Sequence, residues 1–157
     1  MWTALPVPVR RAGYRAAHLL LRVYWGLARP NTRGVKCVVR EGEGILLVRH
    51  SYGDRRRWEL PGGGIKRGEE PRDAAAREAR EELGIDVPAW RSLGAVKVRG
   101  YGKRTTLLCF EARPSDRALT VDAGEIEEAR WFDLAEPPRR LGPDTKMVLA
   151  RLVREPA

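Results

Sequence analysis

Cysteine and histidine are scarce in this chain, two of each. Cys37 and Cys109 are too few for a disulfide scaffold. Each sits in an apolar run (Cys37-Val38-Val39 and Leu107-Leu108-Cys109-Phe110), the setting of a buried free thiol in a reducing, cytoplasmic compartment. The same scarcity argues against zinc, whose usual sites draw four ligands from cysteine and histidine. Long apolar runs are missing as well: the uncharged stretches of the N-terminal segment, Ala16 to Leu21 among them, fall far short of the ~20 residues of a membrane span. Acid is absent from the first forty residues, which hold Arg10, Arg11, Arg15, Arg22, Arg29, Arg33, Lys36 and Arg40 before Glu41 appears. The net charge of +9 therefore belongs to one end of the chain, and the remainder is close to neutral, so no specific nucleic-acid binding is expected.

The basic end reads as a helix from about Val9 to Arg29, stopped by Pro30. Arg11, Arg15, His18, Arg22 and Arg29 share one face; Leu19, Leu20, Leu21, Val23, Tyr24 and Leu27 fill the rest. Three readings stay open. The helix packs its apolar side on the domain or on a second subunit as a homodimer contact, lies peripherally on an anionic membrane surface, or is a cleaved targeting segment. The chain thus divides into a basic amphipathic helix over residues 1–30 and a globular domain over 34–155.

After a turn-like Pro30-Asn31-Thr32-Arg33-Gly34, strands are expected at Val35–Val39 and Ile45–Val48 around a glycine-rich hairpin, with a short extended piece at Trp58–Leu60. The clearest helix is Pro71–Leu83, proline at its start and Gly84 past its end. Alternation marks Ala95–Val98, Thr105–Ala112 and Ala129–Phe132, and Asp144 is expected to cap a last helix. Helices packed on a mixed sheet are the simplest arrangement.

On the Pro71–Leu83 helix, with Ala75 as origin and about 100° per residue, Ala79, Leu83 and Ala76 fall near 40°, 80° and 100° as the buried stripe. Glu82, Glu78 and Glu81 fall near −20°, −60° and −120°. Three carboxylates so placed repel one another, by roughly 0.2–0.5 kcal/mol per neighbouring pair on an open helix. A divalent cation removes that cost, and all-oxygen ligation suits Mg²⁺ or Mn²⁺. A solvated acidic face balanced by Arg77 and Arg80 is the competing reading. The run Gly62-Gly63-Gly64 just upstream favours the metal, because glycines let backbone approach a phosphate-bearing ligand closely. The run lacks the Gly-Lys-Ser/Thr ending of a P-loop.

Residues 63–85 resemble a Nudix box, G-x5-E-x7-R-E-U-x-E-E-x-G-U: Gly63, Glu69, Arg77-Glu78, Glu81-Glu82, Gly84 and Ile85 meet it, with Ala79 as a small aliphatic residue. The resemblance extends over roughly residues 34–155 and implies an α/β fold, a Nudix-type α/β/α sandwich with a mixed central sheet, here with an additional N-terminal helix. It implies Mg²⁺-dependent hydrolysis of a nucleoside diphosphate linked to another group X, by metal-activated water attack on phosphorus. Mn²⁺ would be a substitute. Glu78, Glu81 and Glu82 would hold metal, joined by the carbonyl of Gly62 or Gly63. Glu78 and Glu82 would act in catalysis, with Glu78 the first choice of base and Arg77 orienting the glutamates through Glu69 or Glu81. Glu125, Glu127 and Glu128 are candidates for an additional acid. Arg57, Gly63 and Tyr101 are candidates for binding the small nucleotide substrate. The alternative is a nucleotide-sensing binding module with the same fold and little turnover.

Overall fold

A computed structural model describes residues 4–115 and 117–154, so the end of the expected domain at residue 155 lies outside the described residues. Strands β1 (Asn31–Glu41), β2 (Gly44–His50), β3 (Arg91–Gly100), β4 (Lys103–Ala112) and β5 (Ile126–Asp133) form one sheet in the order β3-β4-β1-β2-β5. The β1–β4 pair is parallel and the others antiparallel, so the sheet is mixed. Helix α2 (Pro71–Leu83) covers one face and α3 (Pro143–Arg154) the other. Val35, Cys37 and Val39 of β1 pack toward α2 with Leu46 and Val48 of β2. Val38, Ile45 and Leu47 point to the opposite core beneath α3. That split follows from the two-residue period of a strand with both faces covered.

The turn-like reading of residues 30–34 is corrected. β1 already begins at Asn31, because Asn31–Gly34 pair in parallel register with Arg104–Leu107 of β4. Turn-forming composition yields to a partner strand that is remote in sequence. β1 and β2 pair only next to their hairpin, at Arg40↔Ile45 and Glu41↔Gly44, and then diverge. Residues 59–64 fill the gap. The Val48 N–H donates to Glu59 O, the Cys37 N–H to Pro61 O and the Val35 N–H to Gly63 O, at 2.8–2.9 Å. The glycine run is thereby stitched to the centre of the sheet.

Helix α1 (Val7–Ala28) departs from expectation more sharply. Its basic and aromatic face turns inward. Arg10 is buried and ion-paired with Asp122, Arg11 Nε donates to Ala123 O and Arg15 Nε to Ser51 O, each at 3.0 Å. The apolar side does not pack on the domain: Leu20 is 71% and Leu27 82% exposed, and Leu19, Val23 and Tyr24 are exposed beside them. The physical reason lies in the domain's rim, which offers carbonyl oxygens and carboxylates, acceptors that the arginine and aromatic face can satisfy and an aliphatic face cannot. Among the described residues no helix is long and apolar enough to cross a membrane.

Candidate active site

α2 carries the site because its small residues let it lie close on β1: the Cys37 thiol donates to Ala75 O at 3.4 Å. This contact sets the rotation of the helix. The buried residues are Ala74, Ala75, Glu78, Ala79, Glu82 and Leu83, an arc whose middle is Glu82 and not its border. Glu82 is only 1% exposed and accepts the Gly62 N–H at 3.0 Å. Glu78 is buried, Glu81 is half exposed, and the reading of a fully solvated acidic face does not hold. Arg80, its proposed counter-ion, turns away to Asp86.

Gly62 has φ +139°, and a Cβ there would stand 2.2 Å from Val35 O; a Cβ on Gly63 would meet the Glu78 carboxylate at 2.5 Å. Only glycine lets this loop sit between β1 and α2. Arg77 joins loop to helix. Its guanidinium grips both oxygens of Glu69 at 2.7 and 3.0 Å, and also donates to Glu78 (2.7 Å), Glu81 (3.1 Å) and Gly64 O (2.9 Å). The bidentate grip holds the Glu69 carboxyl down at about 2.

Glu125, just ahead of β5, faces the same centre. A ring nitrogen of His50 and one carboxylate oxygen each of Glu82 and Glu125 all lie within 4.8 Å of one another. Burial pushes the carboxyls of Glu78, Glu82 and Glu125 up, and crowding among them adds to it. Burial also drops His50 to about 3, leaving a neutral imidazole whose Nδ1 has no hydrogen-bond partner. A nearby cation is Lys36, which donates to Leu60 O at 3.1 Å and pairs with Asp144 at 3.0 Å. Burial opposes the Lys36 charge, but Asp144 and Glu59 outweigh it and raise its pKa. Asp144 thus lies inside the first turn of α3, which begins at Pro143, and spends its carboxylate on Lys36.

Of the other sequence candidates, Arg57, Gly63 and Tyr101 line one cavity of about 1020 Å³ together with Glu78, Glu81 and Glu125. Arg57 is paired with Asp54 at 2.9 Å. Glu127 is bound by Arg55 and Glu128 by Arg49, so the geometry brings Glu125 to the ridge and leaves those two in ion pairs. Trp58 stands edge-on to Phe132 with centroids 4.7 Å apart. Sequence reasoning missed His50, Lys36 and Tyr52 as neighbours of the ridge. Their one signal is position at or just past the apolar strands Val35–Val39 and Ile45–Val48, where a polar side chain enters the core only with a partner.

The converging carboxylates suit a hard divalent cation: their oxygens are hard ligands, and their charge is costly without a counter-ion. The family model described as the NUDIX domain matches residues 30–152. An RNA pyrophosphohydrolase of Bartonella quintana is 45% identical over 156 aligned residues, covering 80% of this chain and 90% of the relative. The nucleoside triphosphatase NudI of Escherichia fergusonii is 29% identical over 122 residues, 66% of this chain and 86% of its own. The crystal structure of a MutT NUDIX hydrolase from Burkholderia pseudomallei shares the fold, with a TM-score of 0.73 and 24% identity over 78% of this chain and 98% of that one.

Proposed function

The chain belongs to the NUDIX family, and from that premise we propose that it is a pyrophosphohydrolase using Mg²⁺, or Mn²⁺ in its place, to cleave a nucleoside diphosphate linked to a further group. The carrying observation is the convergence of Glu78, Glu82 and Glu125, all pushed up by burial, under a glycine loop at the edge of a large cavity. Glu78, Glu81 and Glu82 would hold the metal, with Glu125 and the Gly62 carbonyl completing the set; the Gly63 carbonyl already accepts from Val35. The metal would supply charge neutralisation on the diphosphate and an acidified water.

The protein's own residues supply the rest. Arg77 fixes Glu78 and Glu81 relative to Gly64, so the acidic side chains stay ordered without sampling rotamers. Glu78, whose carboxylate burial makes a stronger base, takes the proton from the attacking water. Arg57, the Gly63 backbone and Tyr101 meet the substrate along the cavity. The two buried free thiols fit the reducing cytoplasm.

A panel of nucleotide sugars, dinucleoside polyphosphates and nucleoside triphosphates tests the proposal. Phosphate or nucleoside monophosphate should appear with Mg²⁺, vanish with EDTA, and fall at least a hundredfold in Glu82→Gln. Intact substrates throughout overturn it; micromolar binding without turnover favours the nucleotide-sensing module. The relative named an RNA pyrophosphohydrolase motivates a second reading, hydrolysis at an RNA 5′ end, and a 5′-triphosphorylated RNA belongs in the same panel.

A further inference from the structure

The family match starts at residue 30, after α1 has ended, yet α1 lines the cavity that holds the acidic residues. Its contribution is mostly aromatic. Tyr14 lies nearly parallel to Tyr52, with centroids 6.0 Å apart and 19° between planes. His18 tilts on Tyr52 at 5.2 Å and stands edge-on to both Trp25 and Tyr101 at 6.2 Å. Tyr52 ties this group to the acidic centre through a 3.0 Å hydrogen bond from its hydroxyl to Glu125.

The arrangement is fixed at both ends. Arg10, Arg11 and Arg15 anchor one end of α1 on the loops beside β2 and β5. At the other, the turn between β3 and β4 sits so close that a Cβ on Gly102 would lie 2.7 Å from Trp25 O. Cations flank the rings: Arg22 lies 4.5 Å over Tyr101 and Lys103 Nζ 3.3 Å over Trp25.

Core packing does not account for this composition, because Leu19, Leu20, Val23 and Leu27 of α1 are exposed while Tyr14, His18 and Trp25, with Leu21 among them, line the cavity. Tyr101 is 46% exposed and has φ +50°, a left-handed backbone that costs a bulky residue free energy. A turn selected for stability alone would carry glycine or asparagine there. His18 Nε2 is buried with no hydrogen-bond partner, and burial, then Arg22 and Lys103, lower its pKa. A planar, neutral group with donors and acceptors on its edge satisfies such a surface, and stacking on aromatic faces is a general means of holding a base.

We propose that α1 is a substrate-binding element: His18, Trp25 and Tyr101, backed by Tyr52, seat the nucleobase of a nucleoside polyphosphate whose phosphates extend to the acidic centre. The inference rests on the reading of that centre as a nucleotide hydrolase. His18, Trp25 and Tyr101 are specificity-determining and stand apart from the bond-breaking groups.

The test compares full-length His18→Ala, Tyr101→Ala and Tyr101→Phe with wild type, and with Leu27→Ala on the outward face as control. KM and kcat are measured for the nucleotides in the panel that wild type turns over. Tryptophan fluorescence reports binding of the α,β-methylene analogues of ATP, GTP, CTP and UTP against base-free inorganic tripolyphosphate. The alanine variants should raise nucleotide KM about tenfold with kcat within about threefold. Leu27→Ala should match wild type, Tyr101→Phe, which keeps the ring, should recover most of the affinity lost in Tyr101→Ala, and tripolyphosphate binding should not move. Unchanged nucleotide KM and analogue binding in both alanine variants overturn the proposal, as does an equal loss for tripolyphosphate. If wild type turns over no nucleotide, the catalytic reading falls by itself, and the analogue binding series then decides the role of α1.

Discussion

Glu82→Gln should change the protein's stability in opposite directions with and without metal. In wild type the Glu82 and Glu125 oxygens lie no more than 4.8 Å apart. Wherever both are ionised without metal, they repel by about 3.5 kcal/mol at an effective dielectric of about 20. Glutamine removes that repulsion and still accepts the Gly62 N–H, losing about 1 kcal/mol of charge assistance. The metal-free variant should therefore be more stable by about 2.5 kcal/mol, a Tm roughly 5–10 °C higher for a domain of this size. A thousandfold excess of Mg²⁺ over its Kd stabilises wild type by about 4 kcal/mol and the weakly binding variant far less, so the order reverses. pH supplies an internal check. The folded carboxyls of Glu78, Glu82 and Glu125 lie above the ordinary 4.5, so their contribution is full below 4.5 and is lost as pH rises through the folded values. Metal-free wild type should lose Tm as pH rises above the ordinary carboxyl range, and the variant should lose less. Calorimetry in EDTA and in Mg²⁺ measures all of this. A variant less stable than wild type in EDTA, or one stabilised equally by Mg²⁺, would refute the reasoning.

Glu125→Gln should lower kcat at least tenfold, whereas Glu127→Gln and Glu128→Gln should stay within about twofold in the same assay, since Arg55 and Arg49 hold those side chains in ion pairs. Arg77→Lys keeps the charge but loses the fork that grips Glu69 while reaching Glu78 and Glu81, and kcat should fall about tenfold or more with the Tm little changed. Gly62→Ala forces a Cβ against Val35 O and should destabilise by more than about 3 kcal/mol, read as a lowered denaturant midpoint.

Elements whose signals are local were legible in the order of residues. Pro71 and Gly84 bound α2 as expected, the Glu41–Gly44 region makes the β1–β2 hairpin, and the spacing from Gly63 to Ile85 identified the family. Such features depend on neighbours within a few turns of chain, which the order of residues contains. Features that depend on remote partners came only with folding. Pairing with β4 extended β1 through a turn-like segment, and contact with β1 rotated α2 until Glu82 stood in the middle of its buried arc. Folding also brought His50, Tyr52 and Glu125 to the ridge, across sequence separations for which periodicity carries no signal. The inversion of α1 has the same origin. Amphipathicity says that two faces differ, but the acceptors on the domain's rim decided that the arginine and aromatic face would be the one turned inward.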